Sequence, residues 1–267
     1  MNSLNRDAAG LPAAVWERID AAALDAAAEL LTSRRFLNLD GPFGIGLTSL
    51  EIGAESEVQQ ADGELAASVG SLSIPVPLLQ QPFALSVRRV EGHLKLGLPL
   101  DLHPVEQAAE AVARREEQLI YHGIKQLGLA GLTNAEGRAS VSCGDWTQVE
   151  QALSDVLAAV NRLDANGFNG PYALALSPAR FNTLFRRYEG SDMLQLDHLS
   201  RLCEGGLFKA PVDGAVLLDP RVGQLVIGQD LRVGFTANDG VHFKLYVSES
   251  LVFLLDDPAA ICTLQEG

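Results

Sequence analysis

Residues 53–74 read GAESEVQQADGELAASVGSLSI, and this stretch decides how the rest of the chain can fold. It contains three glycines, many small polar residues and few large apolar side chains. A segment of this length with so little apolar content cannot bury enough surface to offset the entropy lost on ordering. We therefore expect a projecting arm or hairpin. In a monomer it would be a loose loop, whereas in an assembly a neighbouring copy would hold it.

The segments around this arm carry clear helix and strand patterns. A helix is predicted from about Pro12 to Ser33, because apolar side chains recur every four residues and a proline suits its first turn. Phe36–Asp40 alternates like a half-buried strand. A long helix is predicted from about Pro104 to His122, with Gly123 in the left-handed conformation that often follows a helix. The predicted buried stripe of the first helix consists of Val15, Ile19, Ala23, Ala27 and Leu31.

The second half of the chain mixes further helices with many short strands. Thr147–Glu150 matches a capping box and predicts a helix after it. Ser177-Pro178 predicts a helix that runs to about Tyr188, and another helix is expected over residues 196–203. The predicted strands are 73–77, 82–90, 172–176, 215–218, 224–227, 232–235, 241–247 and 251–255, with hairpin turns at 219–223 and 238–240. This order predicts an α+β fold rather than a regular βαβ alternation.

Charge and composition exclude several classes of partner. The chain carries 20 Lys and Arg against 34 Asp and Glu, a net charge of −14, whereas phosphate recognition needs clustered basic side chains. We therefore predict no nucleic-acid partner and no docking on an anionic membrane. No run approaches the roughly 18 apolar residues of a membrane span, and the first residues do not read as a signal peptide. The chain is predicted to be cytoplasmic.

Local motifs indicate no enzyme. There is no dinucleotide-binding glycine motif, no phosphate loop with its lysine and no nucleophile elbow. The five histidines are far apart, and the three cysteines form no CxxC or Cys/His group. A triad of Cys143, His122 and Asp145 has no support from spacing, since triads are recognised by geometry. The projecting arm and the two packing regions favour a self-assembling protein instead.

A series of short motifs runs through the chain in a fixed order. They are MNSLNRD at 1–7, WERID at 16–20, RRF at 34–36, GPFG at 41–44, EEQLIYHG at 116–123, GPY at 170–172, GQDL at 228–231 and ESLVFL at 249–254. Each motif is short, but their order and spacing over the whole chain form a specific pattern. On these motifs the chain resembles the family 1 encapsulins. These are bacterial shell proteins, also labelled linocin or bacteriocin type, that are related to phage capsid subunits with the HK97 fold.

The resemblance implies an α+β fold like that of the HK97 phage major capsid protein. It divides the chain into an N-terminal arm, helix and first strand at 1–49, an E-loop at 50–80, a peripheral domain at 81–129 and 213–267, and an axial domain at 130–212. It implies that identical copies, most simply 60, assemble into an icosahedral nanocompartment. The enclosed cargo would be a dye-decolourising peroxidase or a ferritin-like protein. Some relatives bind flavin through an aromatic side chain near the segment that here contains Arg88, which has no ring, so no cofactor is predicted.

The resemblance also places two functional surfaces. A C-terminal targeting peptide on the cargo would dock between the first helix and the peripheral domain, on Leu24, Ala27, Leu30, Leu31, Arg34, Asn38, Asp230 and Leu231. Arg34 and Asp230 would pair with polar groups of that peptide. Around the five-fold axis, a loop of Tyr188, Glu189, Gly190, Ser191 and Asp192 would line a pore that favours cations.

No catalytic residue and no metal site is predicted. Two alternatives remain open. One is a prophage major capsid protein that packages DNA, which a net charge of −14 disfavours. The other is a bacteriocin or protease-type activity, which the missing motifs disfavour.

Overall fold

The computed structural model describes residues 3–58, 68–188 and 192–266. The helices are α1 (Ala13–Ala28), α2 (Val87–Leu96), α3 (His103–His122), α4 (Gln151–Ala165), α5 (Pro178–Thr183) and α6 (Gln195–Leu202). The strands are β1 (Asn38–Asp40), β2 (Ser49–Val58), β3 (Ser68–Pro75), β4 (Leu78–Ser86), β5 (Ala139–Cys143), β6 (Ala173–Leu176), β7 (Gly206–Lys209), β8 (Ala215–Leu218), β9 (Gly223–Asn238), β10 (His242–Leu255) and β11 (Ile261–Glu266). Among these described helices, none is both long and apolar enough to cross a membrane.

The strands form two sheets and a separate ribbon. One sheet has the order β1-β9-β10-β4, the other has the order β5-β11-β8-β6-β7, and β2 pairs only with β3 among the described strands. Strands β9 and β10 form a long antiparallel hairpin whose turn is the predicted one at 238–240, where Asp239 accepts hydrogen bonds from the backbone N–H of Val241 and His242. The structure therefore has the α+β class that the sequence predicts.

Each sheet has its own hydrophobic core. Helices α1 and α3 cover the four-stranded sheet, and all five residues of the predicted α1 stripe are buried there. The second core joins the five-stranded sheet to α4 and to the last turn of α3. The five-stranded sheet also takes β8 and β11, which lie outside the segment 130–212 that was predicted as the axial domain.

Three predicted elements end earlier than their local patterns indicate. Helix α1 stops at Ala28, and residues 33–35 form a short 3-10 turn whose Ser33 is hydrogen-bonded to Glu117. The strand predicted over 82–90 ends at Ser86, because its partner β10 begins at His242 opposite that residue. The chain then continues as α2. Helix α5 stops at Thr183, where the chain turns back towards α6.

Other predictions for the second half were wrong, because contacts that local sequence patterns do not show determine the structure there. The capping box at 147–150 does not form, because the Thr147 hydroxyl donates to Asp145, and α4 begins only after Glu150. Residues 219–223 make no hairpin, since a 3-10 turn there carries the chain from β8 in one sheet to β9 in the other. Strands β9 and β10 are each continuous where two shorter strands were predicted, and β5, β7 and β11 were not predicted.

The β2–β3 ribbon projects from the molecule. Its strands pair antiparallel from Ser49 opposite Pro75 outwards, with an irregularity between Ile52 and Ser56. At its base, Leu50 and Ile74 pack on a small cluster that includes Val226. Farther out, Leu72 is 71% exposed. Part of the predicted arm, residues 59–67, lies outside the described residues. A two-stranded ribbon is marginally stable alone in water, so this geometry matches the predicted hairpin and calls for a covering partner.

Candidate functional site

Arg34 is the centre of a buried ionic cluster. Its side chain leaves the 3-10 turn after α1 and donates from Nε and Nη2 to the two carboxylate oxygens of Glu116, both at 2.7 Å. The same guanidinium donates from Nη1 to Asp230 Oδ1 and from Nη2 to Glu249 Oε2, each at 3.0 Å. One cation thereby joins the turn after α1 to α3, β9 and β10. Because the Glu116 contact is bidentate, it also fixes the orientation of the guanidinium.

Burial and neighbouring charges shift the pKa values of Arg34 and Glu249 in this cluster. Burial by itself would lower the pKa of Arg34, but its hydrogen bonds and the charges of Glu116 and Glu249 raise that pKa overall. Burial raises the pKa of Glu249 well above its ordinary value, and the nearby Glu116 carboxylate adds to this while Arg34 opposes it. The side chains of Glu116 and Glu249 are both fully buried. A removed partner would therefore leave charge in a site that water does not reach.

Glu117, the next residue of α3, binds the same turn. Its carboxylate accepts hydrogen bonds from the Ser33 backbone N–H at 3.0 Å, from the Ser33 hydroxyl at 2.6 Å and from the Thr32 hydroxyl at 2.6 Å. Burial raises the pKa of Glu117, although these three donors oppose the shift. Two adjacent glutamates of α3 thus bind the turn that follows α1. These contacts explain why the helix does not continue to Ser33.

The residues predicted for the cargo groove fall into three groups. Ala27, Leu31 and Leu231 are buried in the core. Arg34 and Asp230 are bonded to each other and are not both free for a ligand. The remaining three are accessible: Leu24 is 50% exposed, Asn38 is exposed and Leu30 is half-buried. The structure thus leaves Leu24, Leu30, Asn38 and the partly exposed Asp230 as available members of the predicted set.

A groove that was not predicted lies next to Leu30. It has a volume of about 430 Å³ and is lined by Leu30 and Thr32 on one side and by Pro178, Ala210 and Pro211 on the other. Its walls come from both halves of the molecule, far apart in sequence. No local sequence pattern marks Ala210 and Pro211 as a wall, because they become one only when the two cores are placed side by side.

The predicted pore loop is only partly described. Glu189, Gly190 and Ser191 lie outside the described residues. At its two ends, the Tyr188 ring packs on His198 with centroids 4.7 Å apart, and the fully exposed Asp192 pairs with Arg187 at 3.3 Å. Arg187 therefore offsets the Asp192 charge that the sequence suggested for attracting cations.

Two members of the disfavoured triad are bonded to other groups. His122 is bonded to the Thr133 hydroxyl and to the Pro211 carbonyl oxygen, whereas Asp145 is bonded to Thr147. Cys143 is buried. In the part of the chain that the structure describes, there is no group of three or more His, Cys, Asp or Glu side chains that could hold a metal ion.

Comparison with known proteins identifies the family. Residues 1–252 match the Linocin_M18 family, which is described as an encapsulating protein for peroxidase. The chain belongs to the encapsulins. A Type 1 encapsulin shell protein from Rhodospirillum rubrum is 31% identical over 274 residues, which cover 99% of this chain and 97% of the relative. The predicted resemblance is thereby confirmed over the full length, and the protein is an encapsulin shell protein that assembles with copies of itself.

Solved structures confirm the fold. A virus-like particle from Pyrococcus furiosus is similar with a TM-score of 0.72, at 23% identity, and the match covers 94% of this chain and 99% of that chain. The capsid of the Myoviridae phage XM1 is similar with a TM-score of 0.63, at 17% identity, covering 89% and 92% of the two chains. The encapsulin therefore has the HK97-like capsid fold that its motifs predict.

Proposed function

We propose that this encapsulin closes into an icosahedral shell, most simply of 60 copies, that encloses a cargo enzyme and has no catalytic step of its own. The β2–β3 ribbon carries the proposal. It extends from the body on a small apolar base and leaves Leu72 largely exposed. Unpaired strand edges pair readily with another chain. In a shell, each copy would receive a ribbon and offer one, so many weak contacts would act together.

The cargo would be a dye-decolourising peroxidase, or alternatively a ferritin-like protein. The description of the family as an encapsulating protein for peroxidase supports the first choice. A targeting peptide on the cargo would dock along the side of α1 that presents Leu24 and would also use Asn38 and Asp230, two further exposed members of the predicted set. Leu24 would supply apolar contact, and the half-exposed Asp230 would accept hydrogen bonds from the peptide.

Electron microscopy of the purified full chain tests the shell. We expect hollow closed particles about 20–40 nm across for the wild type, because homo-oligomers usually close with point-group symmetry. Leu72→Glu places a charge on the exposed ribbon and should convert most particles into small soluble species. Leu72→Val keeps an apolar, β-branched side chain and is the matched control that should still assemble.

Two results would contradict a shell that closes around an enzyme cargo. One is that the wild-type protein stays a stable monomer at concentrations at which the Leu72→Val control does not assemble either. The other is the presence of packaged DNA in the particles, which would favour the prophage capsid alternative. Hydrolysis of peptide substrates by cargo-free shells would favour the protease-type alternative.

A further inference from the structure

The cluster around Arg34 contains more buried acid than base. Arg34 is the cation that pairs with Glu116, Glu249 and Asp230 among the residues that the structure describes. If all three carboxyl groups were ionised, the cluster would carry two uncompensated negative charges. Asp230 is 45% exposed and can be solvated, but Glu116 and Glu249 cannot. Uncompensated charge at such positions is strongly unfavourable.

One atom shows how this charge is reduced. Glu249 Oε1 is buried and has no hydrogen-bond donor in the described structure, whereas Oε2 of the same group accepts from Arg34. Glu116 Oε2 and Glu249 Oε2 accept hydrogen bonds from the same nitrogen, Arg34 Nη2, at 2.7 and 3.0 Å. The two carboxyl groups therefore lie side by side, and two ionised groups there would repel each other, whereas a proton on Glu249 removes one of the charges. When two carboxyl groups meet at one buried site, one of them commonly keeps its proton.

We propose that the Glu249 carboxyl carries a proton at neutral pH and that this protonated group, beside Glu116, holds the 33–35 turn on α3 and the four-stranded sheet. When the proton is lost at alkaline pH, Glu116 and Glu249 repel each other across the Arg34 guanidinium. The turn then opens, and the end of α1 loses its attachment to α3 and to the sheet. The shell subunit thus contains a latch that is released by base.

The charged residues that face Glu249 come from three elements. Arg34 comes from the turn, Glu116 from α3 and Asp230 from β9, while the β4 residue opposite Glu249 is the uncharged Leu79. Glu117 lies beside Glu116 and receives three hydrogen bonds that favour its ionised form. Burial nevertheless raises the pKa of Glu117, so its titration would act in the same direction as that of Glu249.

Hydrogen exchange tests the latch in the full chain. The amides of Ser33, Phe36 and Leu37 are bonded within or across the turn and report its opening. After correction for intrinsic exchange between pH 6 and 9, the opening constant of the wild type should rise with pH, by up to tenfold per unit for one linked proton. Glu249→Gln keeps a donor at this position and should flatten the dependence. Any residual slope would measure the contribution of Glu117.

A matched control is Glu110→Gln, because Glu110 is an exposed carboxylate on the same helix that pairs with Arg114. It should keep the wild-type dependence. If Glu249→Gln does not fold, Glu116→Gln removes the other member of the pair and should give the same flattening. The proposal is overturned if the wild-type opening constant is independent of pH, or if the variant keeps the full wild-type slope.

Discussion

Arg34 Nη1 lies 3.0 Å from Asp230 Oδ1, so the two charged residues predicted to receive a cargo peptide bind each other. The Arg34 side chain is only 17% exposed and is bound on its other side by two fully buried glutamates, whereas the Asp230 side chain is 45% exposed. A ligand can approach Asp230 but reaches the guanidinium only by displacing an existing partner. The two residues therefore have different roles, Arg34 in the fold and Asp230 at the surface.

Removal of the Arg34 charge should destabilise the subunit. Arg34→Met keeps most of the apolar stem but leaves Glu116 and Glu249 without their cation, and breaking such a buried pair costs about 3–5 kcal/mol. Urea unfolding followed by circular dichroism would measure the loss. Arg114→Met is the control, because Arg114 is 61% exposed in a pair with Glu110, and it should cost less than about 1 kcal/mol. Equal effects of the two substitutions would contradict the structural role of Arg34.

The cargo surface is better tested at Leu24. This side chain is 50% exposed, so Leu24→Glu should leave the shell intact while it reduces cargo loading at least severalfold. The ratio of cargo to shell protein in purified particles, measured by quantitative gel or mass spectrometry, gives the result. Leu157→Glu is the matched control, because Leu157 is 41% exposed on α4 in the other half of the molecule. Unchanged loading in Leu24→Glu would show that the groove lies elsewhere.

The sequence predicted best those elements whose signal is local. Strand β8 has the predicted bounds, and α3 differs from its prediction by one residue at its start, because an apolar pattern between clear turn residues determines each of them. Strand β5 was missed, because it is short and half-exposed and forms only by pairing with the distant β11. The end of β4 at Ser86 likewise depends on where β10 begins, which no local pattern contains.

The same limit applies to the candidate site. The motifs RRF, GQDL and ESLVFL contain Arg34, Asp230 and Glu249, and the structure brings these three residues together. The sequence did not indicate that the contact is internal, because burial of a charged side chain is set by packing of distant elements. A signal was nevertheless present: Glu249 lies two residues before the apolar run 251–255, near the middle of a core strand, where a buried acid needs a partner.

Gly123 is required by close packing as well as by its conformation. Its φ is +67°, and a Cβ there would lie 2.1 Å from the Leu129 carbonyl oxygen. Gly128 has a φ of +70°, but a Cβ there would meet nothing within 4 Å. Gly128→Ala should therefore cost about 1–2 kcal/mol, the expected penalty of the left-handed conformation. Gly123→Ala should cost several kilocalories more in urea unfolding, and equal losses would contradict the close approach.

The cysteines should be unreactive in the folded subunit. All three are buried, and burial raises the pKa of Cys203 to about 12 and that of Cys262 to about 11. Since only the thiolate reacts readily, a disulfide reagent at pH 8 should label none of them within minutes, but should label all three in urea. Raising the pH to 9 should increase the slow native rate about tenfold, because the thiolate fraction of a thiol whose pKa lies well above the pH rises tenfold per pH unit. Rapid labelling of Cys203 at pH 8 would show that its surroundings open far more often than the packing of α6 allows.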